Sequence, residues 1–244
     1  MKLYVTYTSP YARLARILVV EKGLGDRVDV IEAKTRTPDS PYYRINPSGR
    51  VPYLVDDAGA GLEDSQFICA YLDGLDGKPR LHPLPGPDWS YRRLEARARS
   101  LCDGISVWVR EMRRPEHERS PTILAHEAAR SQRMVDYFEV AAGHPPMQGS
   151  PAMAHLIAAV AIDFARTHGV APHRRPAATG RLDGPHLRSA LDAGNGYALA
   201  TRYLHRPNDR CRCGRSAGSA TSGRPCVPPL RPARGSARSC DAAA

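Results

Sequence analysis

The stretch Asn46-Pro47-Ser48-Gly49-Arg50-Val51-Pro52-Tyr53-Leu54-Val55 decides the reading of this chain. Asn-Pro and Ser-Gly predict a tight turn, and Val51 to Val55 reads as a short buried strand. Proline lacks the N–H that a strand ladder uses, so Pro52 at the head of a strand demands a reason. A cis Val51-Pro52 bond supplies one: it turns the Val51 N–H and C=O outward, where they can grip a peptide-like ligand. Cis X-Pro bonds are a minority of about 5% in folded proteins, so the surrounding sequence must carry the rest. Asp56-Asp57-Ala58-Gly59 predicts a turn, a short strand follows around Gly61 to Glu63, and Asp64-Ser65 opens a helix to about Leu72.

Upstream, Leu3, Val5 and Tyr7 alternate with Lys2, Tyr4 and Thr6, which predicts a half-buried first strand over Lys2 to Tyr7. Ser9 and Pro10 then have the residue types of an N-cap and a first helical position. Leu14, Ile17, Leu18 and Glu21 recur at helical spacing to about Lys22, and Gly23 is a natural stop. Arg27 to Ala33 reads as a second strand, and a strand-helix-strand order favours a parallel pair. Lys34 to Arg44 is loop-like, with one helical turn at Tyr42-Tyr43-Arg44.

A βαβ unit, an irregular segment and then ββα, with Val51-Pro52 and Asp64-Ser65 in those places, resembles the glutathione-binding half of a glutathione S-transferase. The resemblance implies a thioredoxin-like N-terminal domain over residues 1–75, with a mixed four-stranded sheet. Residues 76–88 then read as a linker rich in proline and glycine. Over 89–166 the periodicity is helical throughout. Tyr91, Leu94, Ala98, Leu101, Cys102, Ile105, Trp108, Val109 and Met112 lie on one face, and Pro115 ends the helix. Ser120-Pro121 starts a second helix to about Val140, and Ser150-Pro151 a third, very apolar one. An all-α C-terminal domain after a thioredoxin-like one is the two-domain plan of the same family.

The net charge of +10 invites a nucleic-acid reading until it is located. Residues 167–244 hold 13 Arg, no Lys, 4 Asp and no Glu, which leaves 22 basic and 21 acidic residues in 1–166. That Arg/Pro/Gly-rich tail has no sustained apolar period and is expected to be irregular or disordered. Its composition fits out-of-frame translation of GC-rich codons, which sequencing the gene around codons 160–170 tests. The rival is a true Arg-rich tail that binds nucleic acid, for which the interleaved aromatics are missing. Cys211-Arg212-Cys213 lacks the spacing and second pair of a zinc site, so no metal is expected. The two thiols of the first part, Cys69 and Cys102, together with the lack of a signal peptide, fit a cytoplasmic protein. No apolar run approaches the ~20 residues that span a bilayer, so no membrane partner is expected.

The resemblance also implies chemistry. Glutathione's thiolate would attack an electrophilic small molecule, and a hydroxyl at the start of the first helix would donate a hydrogen bond to the sulfur. Ser9 matches that position in serine-type members, with Tyr7 as the alternative and Thr8 and Tyr11 nearby. Ser9-Pro10-Tyr11-Ala12 replaces the Cys-x-x-Cys of dithiol oxidoreductases, which counts against redox readings. Val51 matches the residue that pairs with glutathione's backbone, held by Pro52. Asp64 and Ser65 match the pair that receives the γ-glutamyl end, and Arg50 is placed for the glycine carboxylate. For Ser9 and Asp64-Ser65 the bland alternative is a helix cap, and for Arg50 a solvated charge. Family members often carry a Ser/Thr-x-x-Asp box at a buried helix start. Ala152-Met153-Ala154-His155 lacks its hydroxyl, so that device is expected to be absent and His155 to be structural.

The expected function is therefore that of a glutathione transferase with glutathione as co-substrate, a hydrophobic electrophile and a homodimeric assembly implied by the resemblance. A non-catalytic transferase-like interaction module is the second hypothesis, and nucleic-acid binding through the tail the third.

Overall fold

Lys2 is exposed while Leu3 and Val5 are fully buried, the alternation of a strand with one face on a core. In the computed structural model of the chain, which describes residues 1–77, 81–82, 89–141 and 152–170, that strand is β1 (Lys2–Val5). It is two residues shorter than expected. Pro52 has no N–H, and the β1–β3 ladder stops at the Tyr4–Tyr53 pair just before it. The chain then turns, with the Ser9 N–H donating to the Thr6 carbonyl at 3.3 Å, and Tyr7 leaves the sheet 48% exposed.

Helix α1 (Pro10–Glu21) crosses over to β2 (Asp29–Glu32), which pairs parallel with β1. A 3-10 turn at Pro41–Arg44 precedes β3 (Tyr53–Val55) and β4 (Gly61–Glu63), both antiparallel to their neighbours. The strand order is β2-β1-β3-β4, and α2 (Ser65–Asp73) packs beside α1. This is the mixed sheet of a thioredoxin-like domain, in the expected βαβ-ββα order.

No strand follows among the described residues. Helix α3 (Ser90–Met112) buries Leu94, Ala98, Leu101, Cys102, Ile105 and Val109, a stripe at three- and four-residue steps. Helix α4 (Pro121–Ala141) packs on α3 through elements that include fully buried Phe138. Helix α5 (Met153–Thr167) is buried continuously from Met153 to Ala161 and packs against both α3 and α1. It begins at Met153, with Ala152 extended at φ −132° and ψ 168°; the expected start at Ser150-Pro151 lies outside the described residues. The lack of a hydroxyl at Ala152 removes only half of the capping device: the Ala152 N–H still donates to His155 Nδ1 at 3.1 Å. Thr167 closes α5, and Val170 returns to the core at 2% exposure.

A buried ionic cluster joins the two halves. Lys22, which caps α1, lies 3.1 Å from Asp73 of α2 and 3.0 Å from Asp76. Asp73 also accepts the Leu81 and His82 N–H groups at 3.0 and 2.8 Å. The His82 ring lies between Asp73 and Glu95 of α3, and Glu95 in turn accepts Arg99 at 2.8 Å. Most of the expected linker (78–80 and 83–88) and the tail from residue 171, with its cysteines and frame question, lie outside the described residues.

Candidate functional site

Tyr4, Tyr53 and Glu63 form one row across β1, β3 and β4. One step further along the three strands come Val5, Pro52 and Asp64, so the sheet ends where Val51-Pro52 and Asp64-Ser65 emerge. Helix α2 starts at that end with Ser65, and the turn leading into α1 leaves it as well. Two helix N-termini with their positive partial charge therefore flank Pro52. The register thus brings Ser9, Val51, Pro52, Asp64 and Ser65 to one end of one sheet.

The Val51-Pro52 peptide is cis. Among the described residues, neither the N–H nor the carbonyl of Val51 takes part in a loop or turn hydrogen bond. The preceding segment is held firmly. Asn46, 2% exposed, accepts the Ser48 N–H at 3.1 Å and donates to the Arg50 carbonyl at 3.1 Å, which also accepts from the Tyr42 hydroxyl. Ser48 accepts the Arg50 N–H at 3.1 Å and donates to Glu63 at 2.6 Å. Gly49 sits at φ +66°, and a Cβ there would come within 2.8 Å of the Tyr43 ring, so glycine is required. Arg50 is exposed. Tyr42 and Asn46 escaped the sequence reading as supports of this loop; Asn one residue before Pro47 reads only as a turn.

Asp64 is the N-cap of α2, its Oδ1 accepting the Gln66 N–H at 2.7 Å, yet its own φ is +75°. A non-glycine residue in that region costs about 1–3 kcal/mol and persists where the surroundings impose it. Its side chain is exposed, while Ser65 beside it is 6% exposed.

Ser9 caps α1: its Oγ accepts the Ala12 N–H at 3.2 Å. That bond occupies one oxygen lone pair and leaves the hydroxyl proton free to donate. Cap and donor are thus compatible in one side chain. Tyr7 stands elsewhere, its ring under the Arg16 guanidinium at 4.5 Å. It lines an open groove of about 460 Å³ with Thr6, Thr8, Lys34, Thr35 and Thr37, a groove that excludes Ser9, Val51 and Asp64. Tyr11 donates its hydroxyl to Asp103 of α3 at 2.5 Å. Burial above all, with the adjoining Cys102 and Asp103, pushes that hydroxyl above the ordinary tyrosine range, so it stays a neutral donor.

Cys69 and Cys102 are both fully buried, and burial pushes each thiol up to about 12. Neither has the exposed, low-pKa character of a reactive thiol. Trp108 is half-buried against the core and Met112 is 36% exposed. Among the described residues no group of three or more His, Cys, Asp or Glu is gathered to hold a metal, and no helix is long and apolar enough to cross a membrane.

Comparison with known proteins agrees with this fold. Residues 3–80 match the family described as "Glutathione S-transferase, N-terminal domain". The chain is 33% identical over 140 residues to the uncharacterized GST-like protein YibF of Escherichia coli K12, covering 57% of this chain and 68% of that one. It is 35% identical over 102 residues to glutathione S-transferase Z2 of Arabidopsis thaliana, covering 41% of this chain and 44% of that one. Among solved structures, a Methylobacillus flagellatus glutathione S-transferase with glutathione bound superposes with a TM-score of 0.67 at 24% identity, covering 83% of this chain and 98% of that one.

Proposed function

The chain belongs to the glutathione S-transferase family, and from that premise we propose that it binds glutathione and activates its thiolate for attack on a hydrophobic electrophile. The observation that carries the proposal is the convergence of three unlike devices at one end of the sheet. These are the helix-capping Ser9 with its hydroxyl proton left to donate, the main chain at cis Val51-Pro52 whose Val51 groups take part in no loop or turn bond, and the positive-φ Asp64 opening α2.

In this reading the cysteinyl backbone of glutathione pairs antiparallel with Val51, whose groups no loop bond consumes. The γ-glutamyl ammonium meets the Asp64 carboxylate, and its carboxylate meets Ser65 and the N–H groups of the first turn of α2. Arg50, held at its backbone by Asn46 and Tyr42, meets the glycine carboxylate. Ser9 donates to the sulfur, and the N-terminus of α1 adds favourable potential for the thiolate. The thiolate attacks the electrophilic carbon and expels its leaving group, forming a thioether. The activity suits detoxification in the cytoplasm by a homodimer.

Two measurements test it. Retention of the protein on immobilised glutathione reads the binding half. Turnover of a generic electrophile by wild type and Ser9→Ala reads the catalytic half. Loss of turnover with binding kept supports Ser9; unchanged turnover removes Ser9 from the chemistry, and binding without wild-type turnover makes the chain a non-catalytic module.

A further inference from the structure

Ser9 is joined to the helical part of the molecule through three consecutive residues. Its Oγ accepts the Ala12 N–H at 3.2 Å, and its carbonyl accepts the Arg13 N–H at 3.0 Å. On either side of Ala12 the side chains leave for other elements. Tyr11 donates to Asp103 of α3 at 2.5 Å, and the Arg13 guanidinium meets Asp163 of α5 at 2.8 Å. These partners are 92 and 150 residues away in sequence. Both anchors lie within the first turn of α1, whose Ala12 N–H holds the Ser9 hydroxyl oxygen.

We propose that Tyr11–Asp103 and Arg13–Asp163 form a two-point clamp by which the helical domain fixes the direction of the Ser9 hydroxyl, making all four positioning residues for the glutathione thiolate. The inference rests on the reading of Ser9 as the thiolate donor. Its physical basis is that a hydrogen bond to an anion weakens steeply with misalignment. A helix end is also the part of a helix most prone to fray. One anchor leaves the turn free to pivot about it; two anchors to two different helices remove that freedom. The chemistry of the two differs. Tyr11 offers a neutral donor that stays protonated, while Arg13 and Asp163, each 22% exposed, form a charge-assisted bond partly sheltered from solvent. Neither pair needs to touch glutathione.

The test follows the ultraviolet absorbance of bound glutathione thiolate against pH, in wild type, Tyr11→Phe, Asp163→Asn and the double variant. Expected is a wild-type complex whose thiol titrates below that of free glutathione. The double variant should raise that apparent pKa by about one unit, a roughly tenfold loss of thiolate at a fixed pH below it. Its affinity for the inert S-methyl glutathione should stay unchanged. Tyr11→Phe, which removes a single oxygen, should show part of the shift, and Asp103→Glu, which keeps an acceptor, should recover most of it relative to Asp103→Ala. A lowered wild-type thiol that every variant shares overturns the clamp and leaves the role of Ser9 standing. A wild-type thiol that is not lowered at all overturns both. Should the double variant fail to melt cooperatively, the single-variant and Asp103→Glu titrations decide by the same criteria.

Discussion

Asp64 accepts the Gln66 N–H at 2.7 Å while its own backbone is held at φ +75°, so one residue both caps α2 and stores strain. The two roles respond oppositely to glycine. Asp64→Gly removes a cap at a cost of only a few tenths of a kcal/mol and relieves strain of about 1–3 kcal/mol. We expect the variant to melt at a higher temperature than wild type and to bind glutathione much more weakly. A calorimetric melt and a glutathione titration on the same sample check both; a destabilised variant would show that the strain is not relieved.

Ser9 allows the cap to be separated from the donor. Asp is as good an N-cap as Ser and its charge suits a helix N-terminus, so Ser9→Asp should keep stability close to wild type. It replaces a hydroxyl proton by a carboxylate, so if Ser9 is the proposed thiolate donor turnover should fall by ~10²-fold or more, the scale of a lost oxyanion donor. Ser9→Ala should lose turnover similarly and also about 1 kcal/mol of stability. Equal turnover in wild type and Ser9→Asp would remove Ser9 from the chemistry.

Much of this was legible because it is local. Ser-Pro before an amphipathic run, glycine after it and Asp-Ser before a second helix each act within a few residues, and α1 and α2 formed where those signals placed them, whereas β3 begins only at Tyr53, after Val51 and Pro52, and β2 is confined to Asp29–Glu32. The end of β1 was misread because Tyr7 continues the alternation; the β1–β3 ladder ends at Tyr4–Tyr53, next to Pro52 with its missing N–H, far away in sequence. Asp64 was legible as a helix start, but its positive φ was not, since Asp carries no mark of backbone strain. Tyr11–Asp103, Arg13–Asp163 and Lys22–Asp73 join residues on different elements, and no spacing rule links them.

The Asp73 cluster should show in acid. Burial opposes ionisation of Asp73, but the His82 and Leu81 N–H donors and Lys22 outweigh it and hold the carboxyl below its usual range. Glu95 is likewise held low against burial by His82 and Arg99. A carboxyl with a depressed folded pKa contributes stability above its unfolded value and loses it as pH falls through the folded one. Stability from these two groups should therefore be fully present above about pH 5 and decline below about pH 4. Asp73→Asn leaves Lys22 with a weaker set of partners and should cost about 3–5 kcal/mol at pH 7. Urea unfolding at pH 7 and at pH 3.5 checks it: the gap between wild type and variant should narrow in acid, and a constant gap would overturn the assignment.

The bond from the Ala152 N–H to His155 Nδ1 keeps half of a capping box at the head of the most buried helix. Alanine has no side-chain acceptor, so the reciprocal half does not exist, and Nδ1 must be unprotonated to accept. His155→Ala leaves the Ala152 donor without this partner and opens space at a 4% exposed position, so a loss of about 1–3 kcal/mol or more is expected. Gln is the residue type that fills this place in a reciprocal cap, and its carbonyl oxygen can accept the same N–H. His155→Gln should therefore recover a substantial part of the loss, while His155→Leu, similar in bulk but without an acceptor, should not. Thermal melts of the three variants rank them, and an equal loss in Gln and Leu would show that packing, rather than the cap, is what His155 supplies.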